Sequence, residues 1–339
     1  MENTKRIVWV DIIKIFAAFL IVMQHSISIE WTGRMPVNDI QWKIINIAFI
    51  VSRIGVPLFF MCSGYTMFRR KHSIREVFVR NLPGIIIPYI SWMLVYGCID
   101  AIGSSSVRIA IFSIVKTVIF GRYHTWFIAT IIGLYLITPL LQEFVYDKKL
   151  LVYFLTLSFT FTVIVPYVRL IGDDRIVHTI NDFNMNFVLG YVIYYLAGYF
   201  IGNLVFDKRI AILSFLCFSM TLCVCQVLCI KEVTDIGSQI QIFYSEFSII
   251  GLILAVSLFV FLRCIANKDY GERAQLHIVK WAELGIGIYL LHPLLLPLIS
   301  NLHGFNILAG TIAIYVSALL INLGISLTPL EKGFLKMKL

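Results

Sequence analysis

The sequence predicts an all-α fold: a polytopic transmembrane helical bundle of about ten spanning helices, with both termini in the cytoplasm. Three observations carry that prediction. The 339 residues are 59% hydrophobic and only 14% charged, with a mean hydropathy of +0.88, whereas soluble domains carry about 25% charged residues. Apolar runs long enough to cross a hydrocarbon core of about 30 Å recur from end to end. The basic residues alternate between the loops that separate those runs.

Ten segments qualify as spans: 7–29, 44–68, 82–103, 124–142, 150–168, 186–204, 209–230, 241–265, 280–300 and 306–327. In lipid each backbone must satisfy its own hydrogen bonds, so the spans are helices. Pro57, Pro139, Pro166, Pro293 and Pro297 fall inside them and are tolerated where neighbours satisfy the freed carbonyls. The segment 107–120 is apolar but short and contains Lys116; it is expected to lie in the interface or re-enter.

Of the 28 Lys and Arg residues, 18 fall on the side of the N-terminus, 8 on the other, and Lys14 and Arg53 lie within spans. The basic-rich side reads as cytoplasmic. The longest outer loops, 104–123 and 169–185, have some polar and aromatic residues but cannot make a core. Lys5 and Arg6 before an apolar run resemble a signal peptide, but the run is too long, contains Lys14 and lacks a small-x-small cleavage site, so it reads as a retained first helix. A single domain over 1–339 is expected, without an internal repeat or a following soluble domain.

The formal net charge is +9, yet nucleic acid is excluded as a partner, because the basic residues sit in short loops between apolar segments; the partner is the bilayer. Seven cysteines fall mostly inside apolar segments, which implies neither disulfides nor a metal site. Cys223, Cys225 and Cys229 read as packing residues.

Candidate chemistry begins on the first span, VDIIKIFAAFLIVMQHSIS. Asp11, Lys14 and His25 share one helical face, with His25 about 16 Å beyond Lys14 at 1.5 Å per residue. Charges in hydrocarbon are costly and ordinarily face a bundle interior or a hydrated path. Two plainer readings stand beside a functional one. Asp11 and Lys14 can form an i,i+3 ion pair with Lys14 snorkelling to the surface, and His25 can bond a backbone carbonyl.

Other polar groups fall inside apolar runs: Glu246, His292 in IYLLHP, His124 in HTWFI beside Trp126, and Ser63 in FFMCSGY. His25, His124, Glu246 and His292 all map to the middle or outer part of the membrane. Such a set can place a general base against a hydroxyl, or form a transient acyl-histidine. Alternatively, His124 is an interfacial cap and Glu246 an interhelical hydrogen bond. A basic cluster, Arg69, Arg70, Lys71, Arg75 and Arg80, lies on the cytoplasmic side. It either sets topology or docks a phosphorylated donor, since Arg binds phosphate well.

Taken in order, RIVWVDIIKIFAAFLIVMQHS, VPLFFMCSGYTMFRRK, VRNLPGIIIPYISW, HTWFIATIIGLYLITPLL, VIYYLAGYFIG and LGIGIYLLHPLLL resemble the segments of the integral-membrane acyltransferase family 3. That family includes bacterial O-acetyltransferases of envelope polysaccharides. Six matching segments in order cover nearly the whole chain. No metal is expected, as the cysteine pattern indicates; the resemblance implies acetyl-CoA as donor. It implies a hydroxyl-bearing envelope glycan or small molecule as acceptor, and the bacterial cytoplasmic membrane as location. It makes His25 the catalytic histidine and Lys14 a donor contact; from their placement in the apolar runs, Glu246 or His292 is expected to orient His25. Asp11, Ser63, Arg69, Arg80, His124 and Trp126 complete the expected binding set.

Many members carry arginine where this chain has Lys14; lysine keeps the charge but loses the two-pronged fork. The chemistry requires His25 and Lys14 to look into one hydrated passage. The alternatives are a polar-solute transporter, which also uses intramembrane charges, and a substrate-delivery module such as the one at the front of membrane-bound serine racemases.

Overall fold

The computed structural model describes residues 6–28, 37, 39–167, 190–236 and 243–335. Among these, every regular element is helical. Each of the ten expected spans has a helical counterpart: eight are long and apolar enough to cross a membrane, a ninth is a bent pair, and the tenth is a short apolar helix.

The central helix is α1, Val8–Ser28, whose buried face runs from Trp9 to Ile27. The expected span 44–68 is two helices, α2 (Ile40–Ser52) and α3 (Gly55–Met67), separated at Arg53 and Ile54. Asp39 caps α2 by accepting from Gln41 N at 2.8 Å. Pro57 falls in the first turn of α3, where its missing N–H would have had no intrahelical partner. Helix α4, Ile74–Ala101, starts earlier than expected and contains a π-turn over Val77–Asn81. The segment 107–120 forms α5, Val107–Phe120, at about 21 Å too short to span. It lies along α4, where a Cβ on Gly97 would meet Ile114 Cα at 2.8 Å.

Helix α6 is Trp126–Val145 and α7 is Lys148–Tyr167. Asp147 caps α7 through Lys149 N and Leu150 N. Of the expected span 186–204, the first four residues lie outside the described residues and the remainder forms α8, Val192–Gly202. The outer loop 169–185 likewise falls outside them. Helix α8 presses on α3 backbone to backbone: a Cβ on Gly64 would sit 1.7 Å from Tyr195 O, and one on Gly198 2.1 Å from Met61 O. Small residues at membrane helix contacts permit this approach.

Helix α9, Lys208–Ile236, outruns the expected 209–230 and leaves most of its surface facing outward. Helix α10, Ile249–Ala266, starts eight residues later than the expected span, because Ser248 caps it through Gly251 N at 2.8 Å. Glu246 therefore precedes the helix rather than sitting inside it. The expected span 280–300 is broken into α11, Glu272–Glu283, and α12, Gly285–Ile299, bent by 49°. Helix α11 is amphipathic, with no fully buried residue. Helix α13, Phe305–Ser326, packs on α12 and α1, and α14, Glu331–Phe334, closes against α4.

Candidate functional site

Two groups of polar side chains lie at opposite ends of α1. At the Lys14 end, α1, α3, α11, α12 and the segment 69–81 enclose a cavity of about 880 Å³. Its lining carries Arg6, Lys14, Arg69, Arg70, Arg80 and Lys280 against Asp11, Glu283 and Glu331. Six basic groups against three acidic ones give the lining a net basic charge, the balance that favours an anion.

The expected Asp11–Lys14 ion pair does not form. Asp11 is taken by Arg6, whose Nε lies 2.9 Å from Oδ2 and whose Nη2 lies 3.3 Å from Oδ1, while Nη1 reaches Glu283 Oε1 at 2.5 Å. The arginine fork holds two carboxylates at once, which a single ammonium at i+3 cannot match. Lys14 is left 6% exposed with no hydrogen bond or ion pair among the described residues. It does not snorkel. A buried ammonium without a counterion is costly, so an anion in the cavity would relieve it.

Arg70 pairs with Glu76, which Arg80 also approaches at 3.5 Å. His72 is held through its backbone, its N–H donating to Gln142 Oε1 at 2.9 Å and its carbonyl accepting from Gln142 Nε2 at 3.0 Å. Arg6, His72, Lys280 and Glu283 were not singled out by sequence reasoning. The amphipathic character of 272–283 is the signal that could have placed the last two beside a polar cavity.

At the other end, His25 on α1 meets His292 on α12. Nδ1 of His25 lies 2.8 Å from Nε2 of His292, and the ring planes are within 12° with centroids 5.0 Å apart. That separation is what two imidazoles give when the short N···N contact lies in both ring planes, so the pair is hydrogen bonded edge to edge. His292 Nδ1 sits 3.1 Å from Ile288 O. A carbonyl only accepts, so Nδ1 of His292 carries a proton. In the neutral ring its Nε2 must then accept, and His25 Nδ1 donates to it. This inferred arrangement leaves His25 Nε2 as a bare lone pair on a partly exposed ring.

His124 completes the group. Its ring centroid is 6.1 Å from that of His292, 5.6 Å from Tyr96, 5.2 Å from Tyr123 and 5.9 Å from Tyr289. Its carbonyl accepts from the Tyr289 hydroxyl. The preceding turn depends on Gly121 at φ 67, where a Cβ would also meet Thr125 Oγ1 at 2.2 Å. Tyr123 and Tyr289, missed by sequence reasoning, wall this group.

Three expected site residues lie elsewhere. The Glu246 carboxylate is tied to Arg53 at 2.7 Å and accepts from Tyr191 Oη at 2.6 Å. It joins the α2–α3 break to α8 and has no contact with either histidine among the described interactions. Arg53, an isolated charge in an apolar run, was the signal for this pairing. Ser63 is fully buried in the core and lines no part of the cavity. Trp126 stacks on Tyr191 with ring centroids 5.3 Å apart and makes no ring contact with a histidine among the described residues.

The Lys14 cavity does not reach His25. Its lining includes Lys14, Phe59 and Ile286 and omits His25, while Ala18, Ile21 and Val22 are 1–2% exposed between the two levels. The continuous passage expected from the sequence is closed by packed aliphatics at this depth.

No solved structure matches this chain. An amino-acid racemase from Enterococcus faecalis is 29% identical over 143 residues, covering 40% of this chain and 19% of the racemase. The chain thus spans about a fifth of that relative's length. The profile of acyltransferase family 3, described as an acyltransferase domain, matches residues 7–330. Nearly the whole bundle described above, including Lys14, His25, His124 and His292, falls within that match, and this multi-pass membrane protein belongs to the acyltransferase family 3.

Proposed function

We propose that the protein is a membrane O-acyltransferase that moves an acetyl group from acetyl-CoA to a hydroxyl of an envelope glycan or a small acceptor, in the bacterial cytoplasmic membrane. The observation that carries the reading is one helix presenting two complementary groups. An unpaired Lys14 faces a basic cavity at one end, and a histidine held by a second histidine stands at the other. The cavity's charge suits the phosphates of a CoA thioester, with Lys14, Arg69 and Arg80 as their contacts.

The acyl-bearing arm would pass Phe59 and Ile286 toward His25. His25 Nε2 takes the proton of the acceptor hydroxyl as its oxygen attacks the thioester carbon; the carbon–sulfur bond breaks and the thiolate leaves with that proton. The same lone pair could carry the acetyl group transiently as an acyl-imidazole. His292 orients His25 in either route. Since the path is closed beyond Phe59, at the level of Ala18, Ile21 and Val22, transfer requires that level to open.

Membranes containing the wild type should transfer label from acetyl-CoA, and equally expressed His25→Ala should not. Undiminished labelling by His25→Ala defeats the reading. The similarity to part of an amino-acid racemase supports a second reading, a module that delivers a small substrate to another catalyst. Under it, neither wild type nor variant transfers label.

A further inference from the structure

Both ring nitrogens of His124 are buried without a hydrogen-bond partner among the described residues, on a residue that is 1% exposed. A neutral imidazole has one N–H to give and one lone pair to fill, and buried polar groups are rarely left so. The neighbouring donors are committed. Tyr96 Oη donates to Leu290 O at 2.8 Å, Tyr289 Oη to the carbonyl of His124 itself, and Arg122 pairs with Asp100. The Tyr123 hydroxyl is on an exposed ring. The cluster beside the His25–His292 pair therefore holds one buried donor with nothing to bind, fixed by a backbone contact to the wall.

We infer that His124 is a catalytic residue whose ring N–H donates to the carbonyl oxygen of the acyl group during transfer. This rests on the acyltransferase reading above. As the acceptor oxygen bonds to the acyl carbon, the carbonyl electron pair moves onto oxygen, and the His124 N–H meets that charge. When the pair returns, the carbon–sulfur bond breaks and the thiolate departs with the proton held on His25. His25 supplies the lone pair and His124 the hydrogen bond, so the two rings do not compete for one task. A donor poised for a charge that exists only in the transition state has no partner in the resting protein, because a preorganised site is built ahead of its ligand.

The test compares His124→Phe and His124→Gln with wild type in detergent, measuring melting temperature and acetyl transfer from acetyl-CoA. Phe removes the unpaired nitrogens and keeps a ring, so its melting temperature should equal or exceed that of wild type. Its kcat should fall about 100-fold with the KM for acetyl-CoA within about threefold. Gln, which retains an N–H, should recover part of the rate. The inference is overturned if Phe keeps kcat within about threefold, or if both variants lose melting temperature and rate together, as a ring holding a structural water would. Absence of His25-dependent transfer in wild type would instead remove the acyltransferase reading on which it rests.

Discussion

The 2.8 Å contact between His25 Nδ1 and His292 Nε2 sets the proton inventory of the outer group, because the bond from His292 to Ile288 O leaves only one arrangement for two neutral rings. His292→Ala should therefore lower kcat by about 100-fold while leaving the donor KM within a few-fold, since the loss is of orientation. His292→Gln, whose amide both donates and accepts, should recover part of the rate. Steady-state kinetics of acetyl transfer by the two variants checks this.

Lys14 is buried with no direct ion pair or hydrogen bond among the described residues, so its worth lies in what enters the cavity. Lys14→Met should raise the KM for acetyl-CoA by about 10- to 100-fold, the equivalent of about 1.5–3 kcal/mol for a charged hydrogen bond. The kcat should change little, and Lys14→Arg should restore affinity. Because Met removes an unpaired buried charge, the melting temperature without donor should not fall.

The Arg53–Glu246 pair is a tie between elements, with side chains 16% and 17% exposed. Glu246→Ala should cost about 2–3 kcal/mol of stability, somewhat below the 3–5 kcal/mol of a fully buried pair. Transfer per folded molecule should remain within a few-fold of wild type. Thermal melting together with specific activity at low temperature separates the two effects, and a loss of kcat at full stability would return Glu246 to the chemistry.

Burial, followed by the adjacent Arg70, lowers the pKa of His72, with Glu76 opposing and Arg80 adding to the fall. The folded protein thus favours the neutral ring. Stability from this group is present above the unfolded value of about 6.5 and is lost as pH falls through the lower folded pKa. Melting temperature in detergent should decline between pH 8 and pH 5 more steeply in wild type than in His72→Asn. Parallel curves would contradict it.

The sequence carried the helical bundle well, because hydropathy reports a requirement that every span meets separately. Boundaries were less legible. Ser248 before an apolar run is an N-cap signal, but a hydropathy window averages across it, so Glu246 was drawn into the helix. Within the sites, the type of residue was readable and its partner was not. His25 and His292 are 267 positions apart, and only the packing of α12 on α1 brings them together. Asp11 and Lys14 have the spacing of an ion pair, yet Arg6, outside the span, presents the better fork.

The glycine contact between α3 and α8 also bears on how the closed level between Lys14 and His25 can open. A side chain can swing aside, but Gly64 and Gly198 leave only main chain against main chain, so these two helices are confined to travelling as one piece. The opposite wall is jointed at the 49° elbow after Glu283, and its near arm is tethered to α1 through Arg6. The compliance needed to let a long thioester arm through is thus concentrated at that elbow.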